Sequence, residues 1–138
     1  MSKEKKLHKL PHHNKIRVFE GFAGYGGATF GLRRSGLHFE VVGSSEYDKF
    51  ASDLLSVNFP DVHNYGDITK IDPKELPDFD FFMGGFPCQP FSTAGMQRGE
   101  ADPYGRGTLF YDIFRICHEK HPQYILLENV KGLTSKKF

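Results

Sequence analysis

The sequence predicts an α/β fold built on a parallel sheet. Three observations predict it. Short apolar runs rich in β-branched and aromatic residues alternate with segments of helical spacing. A glycine-rich turn, GFAGYGG, joins the first apolar run to the first helical segment. Glu46, Asp67, Cys88 and Glu128 all fall at the ends of apolar runs, and ligands of such sheets bind at the carboxyl ends of strands.

The elements follow in order. Residues 1–15 are rich in lysine and histidine and read as a disordered basic tail. They hold no apolar core and so form no secretory signal. His12 and His13 stand without a cysteine or a third histidine, so no metal site is read there. Ile16 to Glu20 reads as a buried strand. The glycine turn leads into a helix over Ala28 to Ser35, with Gly36 as its C-terminal cap. Phe39 to Glu46 is a second strand ending in a carboxylate. Lys49 to Phe59 is a helix whose Phe50, Leu54 and Val57 recur at helical spacing, and Pro60 stops it. Val62 to Tyr65 reads as a short third strand and Phe79 to Gly85 as a fourth. Phe86 to Arg106 is a loop of about 20 residues, a length usually reserved for function or disorder. Leu109, Phe110, Ile113, Phe114, Ile116 and Cys117 trace one apolar helix face, which makes Cys117 a packing residue. Gln123 to Asn129 is the fifth strand.

At 138 residues the chain holds one domain with one core. A formal charge of +1 neither favours nor excludes nucleic acid as a partner. No apolar run approaches the roughly 18 residues of a membrane helix, so no membrane association is expected. Two cysteines are too few for a disulfide framework, which places both as thiols in a reducing cytoplasm.

The glycine turn lacks both the G-x-G-x-x-G spacing and a phosphate-cradling GKS or GKT. Glu46, a little over 20 residues after the turn, suits ribose hydroxyls. Asp67 suits the amino group of adenine. The ligand expected is therefore a nucleoside without a pyrophosphate, and S-adenosylmethionine fits. For Glu46 and Asp67 taken singly, helix capping or turn formation is the competing role.

The blocks FAGYGG, SEYD, GDI, GGFPCQPFSTAG, RGTLF and ENVKGL resemble, in order, the motifs of the cytosine-5 DNA methyltransferases, from Ile16 to about Leu133. The resemblance implies a Rossmann-like S-adenosylmethionine-dependent methyltransferase fold, truncated after the fifth strand, with residues 16–138 a partial catalytic and cofactor-binding domain. It implies that Phe22, Gly24 and Gly26 line the methionine part of the cofactor. Glu46 would bind the ribose, Tyr47 pack on adenine, Asp67 and Ile68 fix its edge, and Leu109 lie nearby. Cys88 would be the nucleophile and Glu128 would hold the target base, with Pro87, Gln89, Ser92 and Asn129 on the substrate side. The substrate implied is double-stranded DNA, as in restriction–modification enzymes. A transfer-RNA relative and a cofactor-binding subunit without catalysis are the alternatives.

The chemistry needs these residue types. C5 of cytosine is a poor nucleophile until a thiolate adds to C6, which splits one hard step into easier ones. Pro87 and Pro90 restrict the backbone around Cys88 and aim its sulfur. A buried structural thiol is the competing reading for Cys88, and an ion-paired carboxylate is the one for Glu128. A stacked cytosine is out of reach, so it must flip out of the duplex. Phe91 to Arg106 is the candidate lid, with a merely mobile surface loop as its alternative. The family pattern continues past Phe138, so a split or truncated enzyme is expected, with a second polypeptide supplying recognition. The family's strand order, 3-2-1-4-5, would leave Gln123 to Asn129 as an exposed edge.

Overall fold

The computed structural model describes residues 15–87 and 108–130. In chain order the elements are β1 (Ile16–Gly21), α1 (Gly27–Ser35), β2 (Phe39–Ser45), α2 (Lys49–Asn58), two 3₁₀ turns (Ile68–Lys70 and Pro73–Glu75), β3 (Phe81–Gly85), α3 (Leu109–Lys120) and β4 (Tyr124–Glu128). The strands form one sheet in the order β2-β1-β3-β4, every neighbouring pair parallel. All carboxyl ends therefore share one rim.

β1 and β3 form the centre, with Val18, Phe19 and Phe82 fully buried. Phe19 stacks on Phe79 and on Phe82 at ring separations of 5.3 and 6.1 Å. Ile68, Ile71, Leu76, Ile113 and Ile116 close this cluster from one side. Where β1 enters the sheet, Arg17 pairs through two nitrogens with the buried Asp80, at 3.1 and 2.9 Å. The register of β1 against β2 shifts between Val18 and Phe19, a bulge that re-aims the end of β2. The caps follow the sequence. Gly36 ends α1 in the left-handed conformation, φ 78°, and the Asp48 side chain accepts from Ala51 N–H at the start of α2.

Two expectations need correction, the strand at Val62 to Tyr65 and the apolar face of α3, and the helix α2 gains a direction. Val62 to Tyr65 is not a strand: a single bridge, Ser44 to Asn64, stands in its place, so the sheet has four strands among the described residues. In α2 the face at Phe50, Leu54 and Val57 is the outer one, with Phe50 82% and Val57 76% exposed, while Leu55 and Phe59 turn inward. Helical spacing identifies residues that share a face, not which face meets the sheet. In α3 only Ile113, Ile116 and Cys117 are buried, and Phe110 and Phe114 are exposed. Cys117 packs in the core, as its position implies.

β4 occupies the sheet edge, in the place expected for Gln123 to Asn129. Tyr124, Ile125 and Leu126 are each about half exposed, so the strand is open rather than buried on both faces. No helix among the described residues is long and apolar enough to cross a membrane.

Candidate active site

The turn after β1 is held in an unusual conformation. Phe22 lies at φ 53°, a left-handed setting that is strained for a bulky side chain and that recurs at functional sites. Gly24 follows at φ 56° and Gly26 at φ 93°. A Cβ on Gly26 would strike the Phe59 ring at 2.1 Å, so packing as well as conformation demands glycine. A Cβ on Gly24 would meet nothing within 4 Å, so the backbone there borders open space into which a ligand fits.

α1 begins behind this turn with no side-chain cap of its own. Glu20, the penultimate residue of β1 and only 3% exposed, supplies one across the turn. Its carboxylate accepts from Ala28 N–H at 3.0 Å and from the Thr29 hydroxyl. Burial pushes this carboxyl above its ordinary range, and hydrogen bonds from the Thr29 hydroxyl and the Ala28 and Thr29 amides only partly oppose that.

Glu46 follows the end of β2. One carboxylate oxygen accepts from Gly24 N–H and the other from Asp48 N–H, both at 2.8 Å. The turn and the carboxylate are thus one unit, with lone pairs remaining on each oxygen for further donors. Asn64 brackets the Glu46 backbone, accepting from its N–H at 2.9 Å and donating to its carbonyl at 3.0 Å. Asp67 starts the first 3₁₀ turn, and one of its oxygens accepts from both the N–H and the hydroxyl of Thr69. Its capping role is therefore present. Burial pushes Asp67 upward, but the Thr69 bonds and Lys70 outweigh it and hold the carboxyl below its usual value. Ile68 is buried in the main cluster, while Tyr47 is 77% exposed. Glu46, Tyr47, Asn64, Gly66 and Asp67 line one open cavity of about 380 Å³ at the rim of the sheet. A carboxylate, an aromatic ring and backbone edges in such a hollow suit a sugar hydroxyl pair and a planar base.

The second half of the rim carries Glu128, Asn129 and Pro87. Glu128 pairs in register with Gly85, and a Cβ on Gly85 would come within 3.0 Å of the Glu128 carboxylate. The carboxylate therefore lies against the strand end that leads to Cys88. Asn129 donates through Nδ2 to the Phe86 carbonyl at 3.0 Å, tying β4 to the same segment one residue before Pro87. Leu109 opens α3 and packs against the main cluster. Cys88, Gln89, Ser92 and the Phe91 to Arg106 loop lie outside the described residues.

Three contributors escape a reading of the sequence: Glu20, Asn64 and Arg115. Arg115 of α3 donates to the Ile71 carbonyl at 2.6 Å and to the Ile68 carbonyl at 3.0 Å, bracing the turn behind Asp67. For Glu20 a signal exists, a carboxylate inside a buried strand just ahead of a helix that lacks a capping residue. For the other two, no local pattern announces a side chain that bonds a distant backbone.

The family model described as C-5 cytosine-specific DNA methylase matches residues 16–138. The type II methyltransferase M.SsoII of Shigella sonnei is 48% identical over 121 residues, covering 88% of this chain and 31% of the relative. M.HhaI of Haemophilus parahaemolyticus is 44% identical over 120 residues, covering 87% of this chain and 35% of the relative. The chain thus spans about a third of the length of these relatives. A crystal structure of a Spodoptera frugiperda DNMT2 mutant superposes with a TM-score of 0.69 at 28% identity, covering 89% of this chain and 38% of the other. S. pombe Dnmt2 gives the same TM-score at 24% identity and supports the fold alone.

Proposed function

The chain belongs to the C-5 cytosine-specific DNA methylase family, and from that premise we propose that it carries the cofactor site and the nucleophile for methylation of cytosine C5 in double-stranded DNA. One observation carries the reading: Glu46 is bonded to the amide of Gly24 beside open space, at the carboxyl rim of a parallel sheet, and lines one cavity with Tyr47 and Asp67.

The chemistry of this hollow, with that of the glycine turn bonded to Glu46, suits S-adenosylmethionine. Phe22, Gly24 and Gly26 would border its amino-acid end, Glu46 its ribose, and Tyr47, Asp67 and Ile68 its adenine, with Leu109 nearby. When bound, it supplies an electrophilic methyl group. The chain's own residues prepare the base. Cys88, as thiolate, adds to C6 of the flipped cytosine and raises electron density at C5. Glu128, from the neighbouring strand, donates a hydrogen bond to N3 and makes C6 more electrophilic. Loss of the C5 proton then expels the thiolate and restores the ring. Asn129, through Phe86, steadies the segment that enters PCQP. Gln89 and Ser92 would meet DNA.

A second polypeptide laid along β4 is the partner this reading takes. The half-exposed Tyr124, Ile125 and Leu126 on an edge strand suit parallel pairing with further protein.

The test is transfer of tritiated methyl groups to double-stranded DNA and to transfer RNA. The chain is assayed alone and mixed with a polypeptide carrying the remaining part of a relative such as M.SsoII. Label in 5-methylcytosine of DNA, stronger in the mixture, is the expected result. Cofactor binding with no label in any mixture would reduce the chain to a binding subunit. Label in RNA alone would reassign the substrate.

A further inference from the structure

The cavity beside Glu46 is shaped by a residue that does not itself need to touch a ligand. We propose that Asn64 is a positioning residue for nucleoside recognition, its carboxamide fixing the separation of Glu46 from the Gly66–Asp67 segment. The proposal rests on the cofactor reading of this cavity.

The carboxamide is fully engaged. Oδ1 accepts from Glu46 N–H at 2.9 Å and from Gly66 N–H at 3.0 Å. Nδ2 donates to the Glu46 carbonyl at 3.0 Å and to the Ser52 hydroxyl at 2.8 Å. Two donors converge on the oxygen and a carbonyl faces the nitrogen, so the network admits one orientation of the amide. The reciprocal pair with Glu46 is what a neighbouring strand would offer. Among the described residues no strand offers it. Backbone pairing on this side is the one bridge at Ser44 and Asn64, after which β2 ends at Ser45. The side chain continues the ladder by one residue, to Glu46.

The same oxygen holds Gly66, which turns the backbone at φ 73° immediately before Asp67. Ser45 reinforces this link, its hydroxyl donating to the Gly66 carbonyl at 2.7 Å. The carboxylate suited to ribose and the segment suited to adenine are therefore registered through one amide. Ser52 ties that amide to α2. An aspartate at 64 would lack both donors and oppose the Glu46 carbonyl. An alanine would leave two N–H groups and a carbonyl at the rim without these partners.

The measurement compares 5′-methylthioadenosine with its 2′-deoxy counterpart on the purified chain by titration calorimetry. The ratio of the two affinities reports the ribose contact and is unaffected by any unfolded fraction, which cancels. The wild-type chain should favour the ribose form by about tenfold, the effect of a charged hydrogen bond. Glu46→Gln should reduce that preference severalfold. Asn64→Ala should shrink it to under twofold and weaken S-adenosylhomocysteine by about tenfold. In the Glu46→Gln background, Asn64→Ala should change the ratio little, because the two act through one contact. A wild-type ratio retained in Asn64→Ala, with Glu46→Gln still lowering it, overturns the Asn64 assignment alone. A wild-type chain that binds neither nucleoside overturns the cofactor reading and this inference with it.

Discussion

The two ends of the sheet differ in how far they are finished. Beyond β2 and β1, the polar groups have partners within the chain: Glu20 in α1, Glu46 in the glycine turn, Asn64 across the rim. Among the described residues β4 is paired on one side only, and Tyr124, Ile125 and Leu126 stand half exposed. The proposed cofactor pocket is thus a local product of this chain. The proposed base-holding side is not: Glu128 is exposed at the edge strand, and a carboxyl proposed to donate to a ring nitrogen works best shielded from water. Binding the cofactor and acting on the base should accordingly separate under mutation.

The sharpest separation is expected at Cys88. Cys88→Ser should lower methyl transfer by the supplemented enzyme on the order of 10³-fold or more. Cofactor affinity should stay within about twofold, a change too small to count as loss of a contact. Loss of cofactor binding in this variant would break the comparison.

Next comes β4 itself. Leu126→Arg places charge in the middle of the open strand. It should make the isolated chain less prone to associate in light scattering, and lower complementation by about 100-fold, as for a central interface contact. Unchanged complementation would mean that no partner covers this strand.

Within the finished half, Glu20→Ala should cost about 1–3 kcal/mol in urea unfolding by orphaning the start of α1. Glu20→Gln should cost less. Because burial raises the Glu20 carboxyl in the folded state, its favourable contribution is present below the ordinary carboxylate range. It is lost as pH rises through the raised value. Wild type should therefore lose ground to Glu20→Gln between acid and neutral pH. Asp67, held below its ordinary value, has the opposite sign: its contribution is present above that value and lost as pH falls through the depressed one.

The smallest effect concerns the second thiol. Burial pushes Cys117 up to about 11. Iodoacetamide at pH 8 should label Cys88 and leave Cys117 untouched in the folded chain, read by mass spectrometry of its peptides. Labelling of Cys117 at a matching rate would show α3 opening as freely as the unfinished edge.

Much of this was legible in the string of residues, and the limits were physical. Four of the five strands came from short apolar runs; burial of a central parallel strand leaves that trace at β1 and β3, while β4 carries the same kind of run on an open edge. Val62 to Tyr65 misled because only Asn64 bridges to β2, and its side chain rather than a further strand residue pairs with Glu46. Phe50, Leu54 and Val57 marked the helix α2, yet a stripe of helical period is blind to the direction it faces. Glu46 and Asp67 announced themselves as strand-end carboxylates, yet their partners are backbone amides set by the fold. Arg115 works through contacts 44 and 47 residues away in sequence, beyond the reach of any local pattern, whereas Glu20, with a partner 8 residues on, leaves the trace of a carboxylate in a buried strand ahead of an uncapped helix.

The single bridge at Ser44 frees the chain that approaches it. Since one amide registers Glu46 with Gly66, the exposed Pro60 and Asp61 carry no share of the pocket's alignment. Loop closure becomes only slightly less favourable as a connection lengthens. Extra residues inserted at this bend should therefore leave the dimensions of the cavity beside Glu46 unchanged.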